Sequence, residues 1–507
     1  PVLMIEIMEL NIWTNNDSWM KIGNQVYTLF NDNPKIISLL LGRIINNGFI
    51  DFAITYIEQY RNKIDDFYSL ELGNYYTSKM LFENSLEEYL LYLKYNPQNY
   101  KIVSNRIMMF PNISEIQKKC IKILNDSSIQ NSKLILSDIE FRAENFEESY
   151  YLLKNNYNNP NDLIEFAQEV SKLNLYDKAI GIYSDIIDGE FNKKIRNKAL
   201  MGIANCFEKK TVTPNYILPI SSLFDNKSIL ECPLYEINEN LMPPLWNAVS
   251  IYDSLSYKSE NALLKLADIK FKGLNDIDSS IKLYKKLIIK ENDNIKFQAG
   301  LNLVDAYLVK GELNNANSTI NNLKKQFEDK HMEIAIKELT ISFFLGSIEE
   351  SLNISNKLLE KLNKRDSNYN EILSLKSTLL LFMNNDVQFK EYSLTQLLIF
   401  QNKKMQALEN LLVFTEKIDP LIQDMVYYQI ALLSLSFNDT DLSVSMLNNI
   451  SNNSIYIEMA AVLKAEIFDY IVNDKSKAVD IYLNILNSYP NSINYENIRF
   501  RLREIAS

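Results

Sequence analysis

The 507-residue chain carries 53 Lys and Arg against 64 Asp and Glu, a net charge of −11, and is 47% apolar and 11% aromatic. So much apolar surface excludes a disordered chain. The acidic balance disfavours nucleic acid or an anionic membrane as the main partner, because both require clustered positive charge.

Other counts narrow the chemistry. At about 150 residues per domain the length implies three or four domains, unless a repeat array replaces them. There are 11 Gly and 12 Pro, roughly 2% each where about 7% and 5% are usual, which points to helix nearly everywhere. The only His is His331, so a multi-His metal site and a Ser-His-Asp centre elsewhere are excluded. The glycines make neither a dinucleotide fingerprint nor a phosphate-cradling loop. Cys120, Cys206 and Cys232 are too sparse for a disulfide framework or zinc. No apolar run approaches the ~18 residues of a transmembrane helix. The start, Pro1-Val2-Leu3-Met4, has no basic segment before an apolar stretch, which leaves the compartment open between the cytoplasm and a cell envelope reached by a removed signal peptide. These features imply no catalytic, cofactor-binding or metal-binding residues.

In chain order, the first recurrent pattern is Leu41-Gly42, Ile45, Ala53, Ile57, Tyr60, with Gly48 at the turn. Leu72-Gly73, Tyr76, Ser85, Tyr89, Pro97 repeats it, with small residues 12 apart and an aromatic residue four further on. Residues 99–130 fit helix pairs without the pattern. Ala167, Val170, Ala179, Tyr183, Ile186 restore it. Two small residues at this spacing let antiparallel helices approach closely, and the residues three and four beyond fill the groove between them. Gly at the turn supplies the left-handed conformation, and Pro after the second helix stops it, as at Pro97 and Pro490.

Residues 211–257 break the pattern. They hold Pro214, Pro219, Pro233, Pro243 and Pro244, yet are rich in apolar residues such as Tyr216, Leu218, Leu234 and Trp246. A continuous helix is excluded, and so is a solvated Gly/Ser linker. The stretch reads as an ordered insertion, either a packed connector between half-arrays or an element lying across the groove. Cys206 and Cys232 bracket part of it as two buried thiols. The nearby Lys193, Lys194, Arg196 and Lys198 read as a solvated helix face.

Beyond the break, Asn261–Leu287 and Met459–Ile485 align at an offset of 198. Their small pairs, Ala267/Ser280 and Ala465/Ala478, are both 13 apart, one residue more than in Gly73/Ser85 and Ala167/Ala179, and Tyr284 coincides with Tyr482. Between them lies Val304, Tyr307, Ala316, Ile320, Leu323, then a stretch at 366–420 that fits helix pairs without the pattern. His331, beside Glu328 and Asp329, reads as a surface or capping residue. A charged amphipathic helix, Ile493–Ile505, closes the chain as a cap.

These units resemble the tetratricopeptide repeat, a 34-residue helix–turn–helix, and the array is similar to bacterial tetratricopeptide proteins. The small positions match Gly42, Gly73, Ala167, Ala204, Ala267, Ala431 and Ala465 in first helices. In second helices they match Ala53, Ser85, Ser149, Ala179, Ser280, Ala316, Ser351, Ser443 and Ala478. The family's first-helix Trp is missing, and Ser often replaces Ala. The resemblance implies an all-α, right-handed superhelical solenoid of roughly a dozen antiparallel pairs. Residues 1–210 and 258–507 would form two arrays around the Pro-rich insertion.

The resemblance also implies a concave groove lined by the residue after each first-helix small position: Arg43, Asn74, Gln168, Asn205, Asp268, Asp305 and Glu466. These run from basic or neutral to acidic, a gradient suited to orienting a bound polypeptide segment. The expected function is a non-enzymatic scaffold for a protein or peptide partner, without cofactor. The alternatives are an exported or lipid-anchored envelope assembly factor and an enzyme built on a helical toroid.

Overall fold

The computed structural model describes residues 1–129, 131–211, 218–221, 229–235 and 242–506, and these contain helices and no strand. They fall into two compact units, Pro1–Leu175 and Tyr176–Ser507. Within each, a helix packs on its neighbours in sequence, as in the pairs Ser69–Ser78 with Phe82–Tyr95 and Ser132–Arg142 with Phe146–Asn156. First helices also touch the next first helix, for example Glu260–Asp268 with Asp293–Lys310. Helix pairs therefore stack in sequence order, as in tetratricopeptide-like arrays. Asp386–Phe400 departs from this order by packing on both Asp293–Lys310 and His331–Phe344. Among the described residues, no helix is long and apolar enough to cross a membrane.

Local chemistry sets the helix boundaries. Asn33, Asn159, Ser259, Asp276, Asn292, Asp439 and Asp474 accept at N-caps from amides of the first turn. Asn159 and Asp162 form a reciprocal capping box before Pro160. Gly48, Gly311 and Gly346 take positive φ at turns, as glycine allows. The same conformation is adopted by Asn15, Asn131, Asn174, Asn275, Asn402, Asn438 and Asn473. Asparagine tolerates it better than other side-chain-bearing residues, which is how a glycine-poor chain turns so often.

The small residues sit where helices meet. Ala53, Ala167, Ala179, Ala204, Ala267, Ala316, Ala431, Ala465 and Ala478 are fully buried, as are Ser85, Ser149, Ser280, Ser351 and Ser443. At two of these positions the serine hydroxyl reaches the backbone of the facing helix. Ser85 Oγ donates to the Gly73 carbonyl at 2.8 Å, and Ser149 Oγ to the Ser137 carbonyl at 2.7 Å, both across 12 residues. Next to these contacts the second-helix tyrosines wedge in: Tyr89, Tyr183, Tyr284 and Tyr482 are buried. A Cβ on Gly73 would lie 2.5 Å from the Tyr89 ring, and one on Gly202 2.2 Å from the Tyr183 ring. Each buried ring contributes about 1.5–3 kcal/mol of apolar burial.

The extra residue in the two aligned units has a physical form. Both first helices end in a π-helical turn, Ile269–Gly273 and Ile467–Ile471. A π turn absorbs one residue while returning the following chain to register, so Ala267/Ser280 and Ala465/Ala478 still meet at 13 apart.

Within the stretch read as a non-repeat insertion, Met242–Ser256 is helical. Pro243 and Pro244 stand in its first turn, where backbone N–H groups have no intrahelical acceptor and proline costs nothing in hydrogen bonds. This helix packs on Lys193–Thr211. Ala204 and Ala248 are fully buried, and Tyr252 follows Ala248 by four, the second-helix spacing seen elsewhere. Lys193–Thr211 and Met242–Ser256 are thus the two helices of one pair, and the interruption lies between them. The expected cap is observed as Tyr495–Ala506, with Ile498 buried.

Candidate polypeptide-binding face

The first helices of successive pairs form one face of each unit, and hydrogen bonds 32–34 residues apart run along it. In the first unit, Arg43 pairs with Glu9 at 3.0 Å, Arg106 donates to Asn74 at 2.5 Å, and Arg142 donates to the Met108 carbonyl at 2.8 Å. In the second unit, Asn302 donates to Asp268 at 2.7 Å, Lys337 pairs with Asp305 at 2.5 Å, and Arg501 grips Asp469 through two nitrogens at 2.8 and 3.0 Å. The separation is one repeat length, so each bond ties a helix pair to the next.

Second-helix tyrosines reach the same positions. Tyr89 donates to Asn74 at 2.8 Å, Tyr252 to Asn205 at 2.7 Å and Tyr284 to Asp268 at 2.7 Å. The structure therefore places Asn74, Asn205 and Asp268 in tyrosine-centred bonds, Arg43 and Asp305 in ion pairs, and Gln168 exposed on its helix. Burial pushes the Asp268 carboxyl above its usual range, against the pull of Lys272 and the two donated hydrogen bonds.

In the first unit, a hollow of about 650 Å³ opens between Tyr100–Ile107, Ser132–Arg142 and Pro160–Lys172. Met108, Phe141, Phe146 and Phe166 supply apolar lining, and Asp138, Glu144, Asp162, Glu165 and Glu169 supply negative charge. Lys101 stands 3.7 Å from Asp162 and 3.6 Å from Glu165. Arg142 is committed to the Met108 and Phe110 carbonyls. Asp138 accepts from Ser104 at 2.5 Å, and the surrounding protein, by displacing water, raises its carboxyl above the usual range. The hollow is acidic with an aromatic floor.

In the second unit, the same face is covered by a strap of the chain itself. Glu466, fully buried, accepts from the Ile220 amide at 2.6 Å, the Ser221 amide at 2.8 Å and the Ser221 hydroxyl. Ile220 is 3% exposed in a cluster with Val462, Ala465, Phe468, Ala478 and Tyr482. Leu218 packs beside it against Leu463 and Ile467. Further along, the Ile229 amide donates to Glu371 and its carbonyl faces the Thr340 hydroxyl at 3.5 Å. Leu234 is buried in the largest core, the Tyr235 amide donates to the Lys272 carbonyl at 2.7 Å, and the Tyr235 hydroxyl donates to Glu208 at 3.1 Å. Of these partners of the strap, Glu208, Thr340 and Glu466 belong to first helices and Lys272 to a π turn. Cys206 is buried and Cys232 half-buried, both as thiols.

Desolvation raises the Glu466 carboxyl above its usual range, against the donors from the strap. Three residues on, burial also acts to raise Asp469, but hydrogen bonds from Arg501 and Lys475 outweigh it and hold that carboxyl below its usual range. Sequence reasoning missed Asp138, Glu208 and Asp469, and the role of Ile220 and Ser221. The available signal was the recurrence of polar first-helix residues at 32–34. Among the described residues, no cluster of His, Cys, Asp or Glu is arranged to hold a metal ion.

A tetratricopeptide-repeat family model matches residues 261–290, the pair that carries the first π turn. No curated protein matches the chain. Among solved structures, the chain is similar to a component of Naa15/Naa10 bound to HypK-THB, at 11% identity and a TM-score of 0.35, covering 99% of this chain and 78% of that one. It is similar to a chain of the APC/C hetero-tetramer Cut9–Hcn1, at 12% identity, a TM-score of 0.23, and coverage of 99% and 90%. It is also similar to human IFIT1, solved as a dimer with m7Gppp-AAAA, at 9% identity, a TM-score of 0.26, and coverage of 87% and 95%. The helix pairs, their small-residue contacts and the match at 261–290 together describe a tetratricopeptide-like array of degenerate units.

Proposed function

We propose that the chain is a non-enzymatic scaffold that holds polypeptide segments on its first-helix face. The observation that carries this reading is the strap: the face of the second unit already binds a stretch of polypeptide by backbone amides, a hydroxyl and buried apolar side chains. The candidate groove residues lie on the first helices of their own units, Arg43, Asn74 and Gln168 in the first and Asn205, Asp268, Asp305 and Glu466 in the second. In this reading the insertion, which interrupts the pair of Lys193–Thr211 and Met242–Ser256, is itself a groove contact.

The hollow of the first unit is the surface for a partner in trans. Its five carboxylates against Lys101 and a committed Arg142 favour a segment that alternates basic and apolar residues. They disfavour nucleic acid, whose phosphates would meet like charge.

Selection from a random peptide display library, using the full chain as bait, tests the proposal. Enriched peptides should combine Lys or Arg with aromatic or aliphatic residues, and Asp138→Arg should weaken them at least tenfold, about 1.4 kcal/mol. A folded bait that enriches nothing, or peptides indifferent to Asp138→Arg, would contradict it.

A further inference from the structure

The two aligned units differ at one point that bears on the strap. In the first, Tyr284 donates to Asp268, the residue just after the small position. Glu466 occupies the equivalent position in the second, but Tyr482 donates instead to Asp469, at 3.2 Å. Asp469 in turn is fixed by Arg501 and by Lys475 at 2.5 Å. The second unit thus turns its own tyrosine away from Glu466, and the donors to that buried carboxylate come from outside the helix pair.

Those donors have a definite chemistry. Two consecutive amides and a serine hydroxyl converge on one carboxylate, which a turn achieves and a strand does not, because successive strand amides point to opposite sides. Pro219 pre-sets the turn by fixing its own φ. Leu218 and Ile220 flank it and fill the apolar surface beside Glu466. Closing the helix pair does not depend on this contact, since Lys193–Thr211 and Met242–Ser256 meet through Ala204, Ala248 and the Tyr252–Asn205 bond.

We propose that Glu466 and its apolar surround form a receptor for a Leu-Pro-Ile-Ser type of turn, filled in cis by Leu218–Ser221, and that the partner is a foreign protein segment presenting the same turn. The proposal rests on the scaffold reading and adds the identity of the segment. Because the cis segment is tethered, its effective concentration is on the order of millimolar, and a foreign segment must outcompete it. The strap therefore sets the threshold for partner binding.

The test is direct binding of a fluorescent peptide with the sequence of residues 216–223 to the full chain. Three forms are compared: the intact chain, a chain with Ile220→Asp and Ser221→Pro in the strap, and that chain with Glu466→Gln added. The peptide should bind the strap variant at least tenfold more tightly than the intact chain. Glu466→Gln should abolish that gain, and a peptide carrying Ile220→Asp should not bind. Equal binding to intact and strap-variant chains, or no binding to a folded strap variant, overturns the proposal. So does a strap variant that only converts a dimer to a monomer, which would make the occupant a second copy.

If the strap variant fails to fold, protease sites placed at 212–217 and 222–228 excise the segment after folding. The excised segment should then be displaced by the added peptide, and a segment that added peptide cannot displace overturns the proposal. Peptide selection against the first-unit hollow reports separately, so the scaffold reading stands if this receptor fails.

Discussion

Asn261–Leu287 and Met459–Ile485 share a sequence pattern, a π turn and a buried tyrosine, yet they satisfy their polar groups differently. At the position of Asp469 the helix pair Asn261–Leu287 has Phe271, fully buried and edge-on to Tyr284. Its tyrosine hydroxyl then has one carboxylate to reach, Asp268. In the second unit the added carboxylate brings two cations with it, captures the tyrosine and leaves Glu466 to the strap. Both units touch the strap, one through the Lys272 carbonyl in its π turn and the other through a side chain. One substitution, an aromatic residue for a carboxylate, separates a helix pair whose tyrosine donates to the carboxylate after its small position from one whose corresponding carboxylate takes its donors from the strap.

The largest test of this difference is Arg501→Ala. It leaves the Asp469 side chain, which is wholly inaccessible to solvent, with Lys475 and Tyr482 alone. Breaking a buried pair from one side costs about 3–5 kcal/mol, which urea denaturation of the full chain would register. A loss under 1 kcal/mol would mean that Asp469 does not depend on Arg501. Next, Glu466→Gln replaces an acceptor of three hydrogen bonds with a group that carries its own donors. A loss of about 1.5–3 kcal/mol is expected, typical of hydrogen bonds to a charged group. No loss would place the strap elsewhere.

Smaller effects sharpen the contrast. Tyr284→Phe and Tyr482→Phe each remove one hydroxyl and should cost about 1 kcal/mol. Their consequences should differ. Tyr284→Phe leaves Asp268 with Asn302, whereas Tyr482→Phe leaves Asp469 with both cations and Glu466 untouched. Only Tyr284→Phe should further raise its carboxylate, readable by NMR titration of the aspartates.

The smallest expected effect is the pH dependence, and its sign differs between neighbouring carboxylates. Glu466 is raised in the fold, so the folded state binds its proton more tightly. As pH falls from neutral toward the unfolded glutamate value near ~4.3, the wild type should gain stability relative to Glu466→Gln. Asp469 is lowered, so its contribution is present above the unfolded aspartate value near ~3.9 and disappears as pH falls through the lower folded one. A wild-type chain that loses stability relative to Glu466→Gln between pH 7 and 4.5 would reverse the assignment for Glu466.

Much of this architecture was legible in residue spacing. Small residues 12 apart located Ser85 opposite Gly73, and the 13-residue spacing marked one added residue in each aligned unit, which the structure takes up as a π turn. Met242–Ser256 was hidden because Pro243 and Pro244 stop helices in their interiors but not in their first turn, and because its partner lies across a long interruption. Its Ala248–Tyr252 spacing was the available signal. The bonding of the candidate groove residues was not legible in the sequence. Whether Asp305 meets solvent or Lys337 depends on a side chain one repeat away, which spacing within a single unit does not reveal. Glu466 was selected for following Ala465, whereas its partners, Ile220 and Ser221, lie about 245 residues earlier, beyond any local pattern.

Hydrogen exchange at the Ile220 and Ser221 amides, in the full chain and in Glu466→Gln, reports on the strap contact itself. The Glu466 contact predicts that both amides exchange at least a hundredfold more slowly than in a free peptide, and that Glu466→Gln removes this protection while the helices of Met459–Ile485 keep theirs. Fast exchange at both amides in the wild-type chain would contradict it.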